Sequence, residues 1–381
     1  MMAPDLDALP PMDVASRARR VREALDGATG VAVDALLVTK LVNLRWLTGF
    51  TGSAGRAVLL ADRLVLVTDG RYETQAGEQL AAAGVDADVR IGRSAAAQQE
   101  LLQQAVQGVA RLGLEADDVS WADQRHYADT VDAELVPTDP LVDRLRVVKD
   151  DGEIARAEAA AAIADRALAN VGARLLDEPT EEEFGLELDT EMRRLGASGP
   201  SFETIVASGS NGAKPHHRPA SRRIVEGDLV VLDFGATVDG YRSDMTRTMV
   251  IGEPSETQQR MLDVVAEAQA AGVAAVRAGA ACRDVDAACR KLIADAGWGD
   301  AFAHGTGHGV GLEIHEEPRV SFSAPEDATL AARSIVTVEP GVYLPAHGGV
   351  RVEDSVVVTD DGCRPLTHFS KDPRWPSRPT T

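Results

Sequence analysis

Residues 229–251 read LVVLDFGATVDGYRSDMTRTMVI, two β-rich runs on either side of Asp239-Gly240. Asp-Gly between such runs marks a two-residue hairpin. That turn sets the register. Val238 opposes Tyr241, and counting back along both strands places Asp233 opposite Thr246. Asp244 then lies diagonally across from Asp233 on the same sheet face. Diagonal neighbours stand about 7–8 Å apart at the backbone, a span across which two carboxylates can hold metal ions. Two acids beside a hairpin can also simply face solvent. Asp233, however, follows the apolar run Leu229–Leu232, where an unpaired charge is expensive.

Three further motifs carry metal-binding side chains: HGTGHGVGLEIHEEP (304–318), VEPGVY (338–343) and GVRVEDS (349–355). With the hairpin they supply Asp233, Asp244, His308, Glu339 and Glu353. Four carboxylates and a neutral imidazole carry the charge that two divalent cations neutralise. The oxygen-rich set suits Mn²⁺, Co²⁺, Fe²⁺ or Zn²⁺. Two such ions about 3.5–4 Å apart can share a hydroxide that hydrolyses an amide. Glu339 precedes Pro340-Gly341 and so ends a short strand, 334–339. A strand over 350–358 would put Arg351 and Glu353 on one face. Arg351 could be a plain ion-pair partner, steady a metal ligand, or bind a substrate carbonyl or carboxylate.

His304 and His308 are four residues apart in a segment too rich in glycine for a helix. In extended chain that spacing spans about 13 Å, so at most one of them binds a given ion. The other touches a ligand or the substrate. Of the chain's eight histidines, His216, His304, His308 and His315 lie in motif-like contexts, which favours function over a solvated surface role.

The chain divides into residues 1–11, expected to be disordered, an N-terminal domain over 12–145, a catalytic domain over 146–370 and a tail over 371–381. In the N-terminal domain, β-rich and helical stretches alternate, the pattern of an α/β layer. Its first helix is expected over 13–26, stopped by Gly27. A long Ala-rich helix follows Asp150 or Asp151 as cap. Thr180 with Glu183, and Ser255 with Gln258, form capping boxes. Strands are expected at 203–208, 229–251, 310–315, 334–339 and 350–358. Antiparallel strands with helices on one side make the catalytic domain α+β.

The net charge of −21 is scattered over 381 residues. It argues against nucleic-acid partners and against anionic membrane surfaces. No apolar run approaches the ~20 residues of a membrane span. Cys282, Cys289 and Cys363 form no CxxC and read as free thiols of a reducing compartment. The N-terminus lacks a basic and apolar leader, which makes the cytoplasm the expected location. GFTGSAG (49–55) spaces its glycines regularly, but no Gly-Lys-Ser/Thr follows, so it is not read as a phosphate loop.

Residues 200–360 resemble the catalytic domain of the Xaa-Pro peptidases, aminopeptidase P and prolidase, metallopeptidases of the pita-bread fold. The matching segments are FETIVASGSNGAKPHH (202–217), GDLVVLDFGATVDGYRSDMTRT (227–248), HGTGHGVGLEIHEEP, VEPGVY and GVRVEDSVVVT (349–359). NLRWLTGFTGSAG (43–55) and LVTDGRYETQA (66–76) resemble that family's N-terminal domain, of the creatinase/prolidase type. The resemblance implies that Asp233, Asp244, His308, Glu339 and Glu353 bind two divalent ions, Mn²⁺ foremost, with Asp244 and Glu353 shared between them. It implies that His216 assists proton transfer, His304 lines the substrate pocket and His315 hydrogen-bonds the tetrahedral intermediate. Tyr343 and Arg351 fall near metals and substrate. Glu339 becomes the proton shuttle. His217 and His347 receive no role. Substrates would be proline-containing peptides and the assembly a homodimer. Two alternatives stay open: a methionine aminopeptidase-like exopeptidase, and a non-catalytic binding protein on the same fold.

Overall fold

The computed structural model describes residues 4–28 and 32–374. It forms two compact units, one over Pro11–Arg146, the other joining the first ten residues to the chain from Val147 onward.

The N-terminal unit is built on six strands: β1 (Ala35–Val38), β2 (Gly55–Leu60), β3 (Leu64–Thr68), β4 (Asp88–Ile91), β5 (Arg111–Glu115) and β6 (Glu134–Thr138). They order as β4-β3-β2-β1-β5-β6, and β2 alone runs against the rest. β1 and β3 are buried along their whole length. Continuous apolar runs of this kind suit strands covered on both faces. The helices are α1 (Arg17–Ala28), α2 (Leu41–Thr48), α3 (Glu73–Ala82), α4 (Ala95–Ala105), α5 (Trp121–Thr130) and α6 (Leu141–Arg146). α1 starts later than the expected Asp13, because Ser16 and Asp13 first close a hydrogen-bonded turn. It also runs through Gly27 instead of stopping there. One glycine costs a helix only about 1 kcal/mol.

In the second unit the expected caps form. Asp150 caps α7 (Asp151–Val171), Thr180 caps α8 (Glu181–Arg194) and Ser255 caps α9 (Glu256–Ala275), each as a reciprocal capping box. α10 (Cys282–Asp295) packs on α9. The strands are β7 (Gly199–Pro200), β8 (Ile205–Ser208), β9 (Leu229–Phe234), β10 (Ala236–Val238), β11 (Tyr241–Arg242), β12 (Met245–Val250), β13 (Gly307–Gly309), β14 (Glu316–Val320), β15 (Ile335–Val338), β16 (Gly341–Leu344), β17 (Gly348–Arg351), β18 (Asp354–Val358) and β19 (Cys363–Pro365). They form sheets β11-β10-β7, β12-β9-β8, β14-β13-β15-β18-β19 and the hairpin β16-β17, antiparallel throughout. One core joins α7 and α8 to β9 and β12; a second joins α9 and α10 to β15, β17 and β18.

The hairpin register is the one read from the sequence: Val238 pairs with Tyr241 and Asp233 with Thr246. Asp239 and Gly240 turn at φ 46° and 79°, the positive values a tight hairpin needs. The long strands nevertheless break. A Cβ on Gly235 would lie 1.9 Å from the Ser243 carbonyl oxygen. The chains cross closely there, which divides the ribbon into two sheets and leaves Asp244 in the gap between β11 and β12.

Three expectations are corrected. Residues 310–315 are not a strand; they are the connection between β13 and β14. Residues 350–358 form two strands in different sheets, because the amides of Val352 and Glu353 bond Pro340 and Thr246 instead of a ladder partner. Residues 4–11 are not disordered. Leu6–Ala8 form a 3₁₀ turn capped by Asp5, and Leu6 and Leu9 pack against the α7–α8 core. Of the expected tail, residues 371–374 are described and Arg374 bridges to Val250; residues 375–381 lie outside the described residues.

Candidate metal centre

Asp233, Asp244, His308, Glu339 and Glu353 line one cavity of about 720 Å³, together with His216, His304, His315 and Arg351. Each comes from a place where regular structure ends or narrows. Asp233 is the penultimate residue of β9, and Asp244 sits in the break after β11. Glu339 follows β15, and Glu353 fills the gap between β17 and β18. His308 is the centre of the three-residue β13. Its flanking glycines are required by close approach: a Cβ on Gly307 would lie 2.0 Å from the Thr337 carbonyl, and one on Gly309 2.1 Å from that of Glu317.

His308 Nδ1 stands 2.9 Å from the Gly309 carbonyl. That oxygen can only accept, so the proton is on Nδ1 and Nε2 carries a lone pair. Nε2 faces Asp244 Oδ2 at 3.6 Å and Glu339 Oε1 at 3.4 Å. One ligand atom each from Asp244, His308 and Glu353 lie within 4.8 Å of one another. Two carboxylate oxygens, Asp233 Oδ1 and Glu353 Oε1, are buried with no hydrogen-bond partner among the described residues. Acceptors converging on acceptors are repulsive unless a cation lies between them. Atoms bound about 2.1 Å from one ion stand about 3–3.5 Å apart, which is the spacing seen around His308. The residues therefore fit divalent metal.

Electrostatics agree. Burial, with Glu353 and Asp233 nearby, holds the Asp244 carboxyl well above its usual range. Burial, with Glu339 and Asp233, does the same to Glu353. Glu339 is pushed up to about 8, chiefly by burial and then by Asp233, against the lowering influence of Arg351. Burial lowers His308 to about 3 and His304 to about 4, and also lowers His315, so all three are neutral at pH 7. Raised carboxyl values mean that the metal-free native state binds more protons than the unfolded state. The carboxylates' contribution to the stability of metal-free protein is therefore present at low pH and lost as pH rises through about 8, whereas the lowered histidines favour the native state more as pH rises to about 6.5, so the net loss falls between about pH 6.5 and 8. Thermal unfolding of chelated protein should show a melting temperature that drops between about pH 6.5 and 8, with the loss reversed by added Mn²⁺. A flat profile would contradict the reading.

A second network braces the ligands. Arg351 Nη2 donates to Asp233 Oδ2 at 2.5 Å, and its Nε donates to Thr246 Oγ1 at 3.1 Å. Thr246 in turn donates to Glu353 Oε2 at 2.6 Å. Arg351 Nη1 donates to the Tyr343 hydroxyl at 2.7 Å, and that hydroxyl donates to His304 Nε2 at 2.8 Å, since His304 Nδ1 is engaged with the Gly305 carbonyl. Arg351 thus pairs with Asp233 across the sheets, not with Glu353 two residues on. His304 and His308 do diverge as their spacing required: His304 turns to Tyr343 and His308 to the carboxylates. The His315 ring meets His308 edge-on with centroids 4.4 Å apart.

His217 turns away from the cavity onto buried Glu181 at 2.9 Å, which also gathers Ser208, Asn211 and the Ala220 amide. It fastens the loop that carries His216. His347 sits in the β16–β17 turn, its carbonyl accepting from Gln258. Two residues escaped the sequence reading. Thr246 was placed only as the partner of Asp233, although its hydroxyl links Arg351 to Glu353. Arg319 lines the cavity, and its guanidinium has no carboxylate partner among the described residues. Its position just beyond HEEP was the available signal.

Comparison with known proteins places this geometry. Residues 155–360 match Metallopeptidase family M24, and residues 17–148 match the Creatinase/Prolidase N-terminal domain. An uncharacterized peptidase of Bacillus subtilis is 40% identical over 348 residues, covering 90% of this chain and 96% of its own. The structure of an Xaa-Pro dipeptidase from Bacillus anthracis superposes with a TM-score of 0.89 at 38% identity, covering 94% of this chain and 99% of that one. An X-Pro aminopeptidase from Thermotoga maritima gives 0.84 at 33% identity, covering 93% and 99%. The chain belongs to metallopeptidase family M24, with a pita-bread catalytic domain behind a creatinase/prolidase-type N-terminal domain.

Proposed function

We propose that the protein hydrolyses the bond between an N-terminal residue and proline, and that Xaa-Pro dipeptides are its preferred substrates. The observation that carries the reading is one cavity uniting five metal-ligand side chains, two further histidines that burial keeps neutral, His304 and His315, and the Arg319 guanidinium, which has no carboxylate partner among the described residues. An Xaa-Pro bond is a tertiary amide with no N–H on the leaving side, so enzymes that grip that N–H handle it poorly.

Asp233, Asp244, His308, Glu339 and Glu353 would hold two divalent ions, Mn²⁺ foremost. When bound, the pair supplies water activated at neutral pH and polarises the scissile carbonyl. The chain's own residues do the rest. Glu339 accepts the proton released by the attacking water and passes it to the proline nitrogen as the C–N bond breaks. Neutral His315, through its ring N–H, donates to the oxygen on which negative charge develops. His216 and His304 border the substrate, the latter fixed by Tyr343 and Arg351. Arg319 pairs with the free carboxylate of a dipeptide, which supports dipeptidase over aminopeptidase action.

No helix among the described residues is long and apolar enough to cross a membrane. A cytoplasmic homodimer is part of the proposal.

Arg319 supplies the test. Losing a charge-assisted hydrogen bond costs about 1.5–3 kcal/mol. Arg319→Ala should therefore raise KM for Ala-Pro by roughly 10- to 150-fold while sparing Ala-Pro-amide, whose end is uncharged. Equal losses on both peptides would remove the dipeptidase assignment.

A further inference from the structure

The proposed oxyanion donor His315 is the last residue of the β13–β14 connection, and Glu316 follows it directly. The two side chains part. His315 faces the cavity, while Glu316 Oε2 accepts from Lys149 Nζ at 2.9 Å in a pair whose side chains are 5% and 1% exposed. The Glu316 carboxylate lies inside the connection rather than behind it. Its Oε1 accepts the Glu313 amide at 3.2 Å, and a Cβ on Gly311 would stand 2.5 Å from Oε2. The loop is wrapped around that carboxylate. Lys149 is itself a fixed post: its amide donates to the Arg333 carbonyl at 3.2 Å, and its carbonyl accepts from Arg333 Nε at 2.8 Å. On the other side, the Arg242 amide holds the Gly311 carbonyl at 2.9 Å and Arg242 Nε holds that of Leu312 at 3.2 Å.

A buried ion pair is seldom more stabilising than a well-packed apolar pair of equal size. What it adds is direction, because both partners must meet in one geometry. We propose that Lys149 and Glu316 are positioning residues for catalysis: their pair fixes the Gly311–Glu313 turn and thereby the place of the His315 imidazole. This rests on the catalytic reading of His315 and assigns that reading its support.

The test uses full-length, Mn²⁺-loaded protein. Lys149→Met combined with Glu316→Leu removes both charges of the pair together and leaves Glu313 to face Arg242. The double variant should unfold cooperatively, bind wild-type metal and keep KM for Ala-Pro within about twofold. Its kcat should fall by about 10- to 100-fold, the scale of a small misplacement of a catalytic group. Adding His315→Ala should cost much less in this background than in wild type, because the pair acts through that ring. Lys149→Arg should retain most of kcat. If the double variant does not fold, Glu316→Gln, which keeps shape and one acceptor, should show the same kcat-selective loss in smaller measure. Wild-type kcat in the folded variant, or a full His315→Ala penalty in both backgrounds, overturns the proposal. The His315 ring resonances in metal-free protein give a second readout. They should move in the double variant and stay in Lys149→Arg. If His315→Ala leaves turnover untouched, the catalytic reading fails, and unmoved ring resonances would separately dismiss the anchor.

Discussion

Asp244→Ala and Glu353→Ala should each remove at least one metal ion per chain and lower turnover on Ala-Pro by at least about 10³-fold, the several kcal/mol that metal ions contribute to such hydrolysis. Both residues converge with His308. Glu353 Oε1 is buried without a hydrogen-bond partner among the described residues, so its present surroundings favour a cation. Elemental analysis of the purified variants checks the loss directly. A companion result separates repulsion from general damage. In metal-free protein at pH 8, Asp244→Asn should melt higher than wild type, because one of the repelling charges is gone. A lower melting temperature, or full metal occupancy in the alanine variants, would contradict the assignment.

His315→Ala should lower kcat by about 10²–10³-fold, the usual effect of deleting an oxyanion donor, with both the metal content and KM little changed. The ring stands beside His308 without sharing a hydrogen bond with it, so removing it should leave the ligands in place. His126→Ala, on α5 in the N-terminal unit, should leave kcat unchanged. Steady-state kinetics on metal-loaded protein distinguishes the two. If both substitutions have the same effect, His315 has no special part in the reaction.

The sequence was most informative where a local rule has one solution. Asp239-Gly240 fixed the hairpin turn, and with it the pairing of Asp233 with Thr246. Thr180 and Ser255 announced two helix starts, since each offers a side-chain acceptor three residues ahead of its Glu or Gln, and of the two candidate caps Asp150 and Asp151 the structure uses Asp150. The spacing of His304 and His308 excluded a shared ion, and the two side chains do part. What escaped depends on contacts distant in sequence. Nothing local interrupts 350–358; the break arises because Glu353 bonds Thr246 across more than a hundred residues. The loop over 310–315 looked like a strand by its apolar residues, but Arg242 and Glu316 hold its polar backbone instead of a ladder. Arg351 found Asp233 rather than Glu353 for the same reason. Leu6 and Leu9, in an acidic Pro-rich leader, gave no periodicity by which their packing could be read.

The most direct measurement combines metal counting with peptide cleavage on the same preparation. Protein stripped by chelation and reloaded with Mn²⁺ is analysed for bound metal and assayed on Ala-Pro, Ala-Pro-Ala and Met-Ala. Two ions per chain, no activity before reloading, and cleavage of Ala-Pro first among the three are expected. Release of methionine from Met-Ala without cleavage of either proline peptide, or full activity in metal-free protein, would contradict the proposed function.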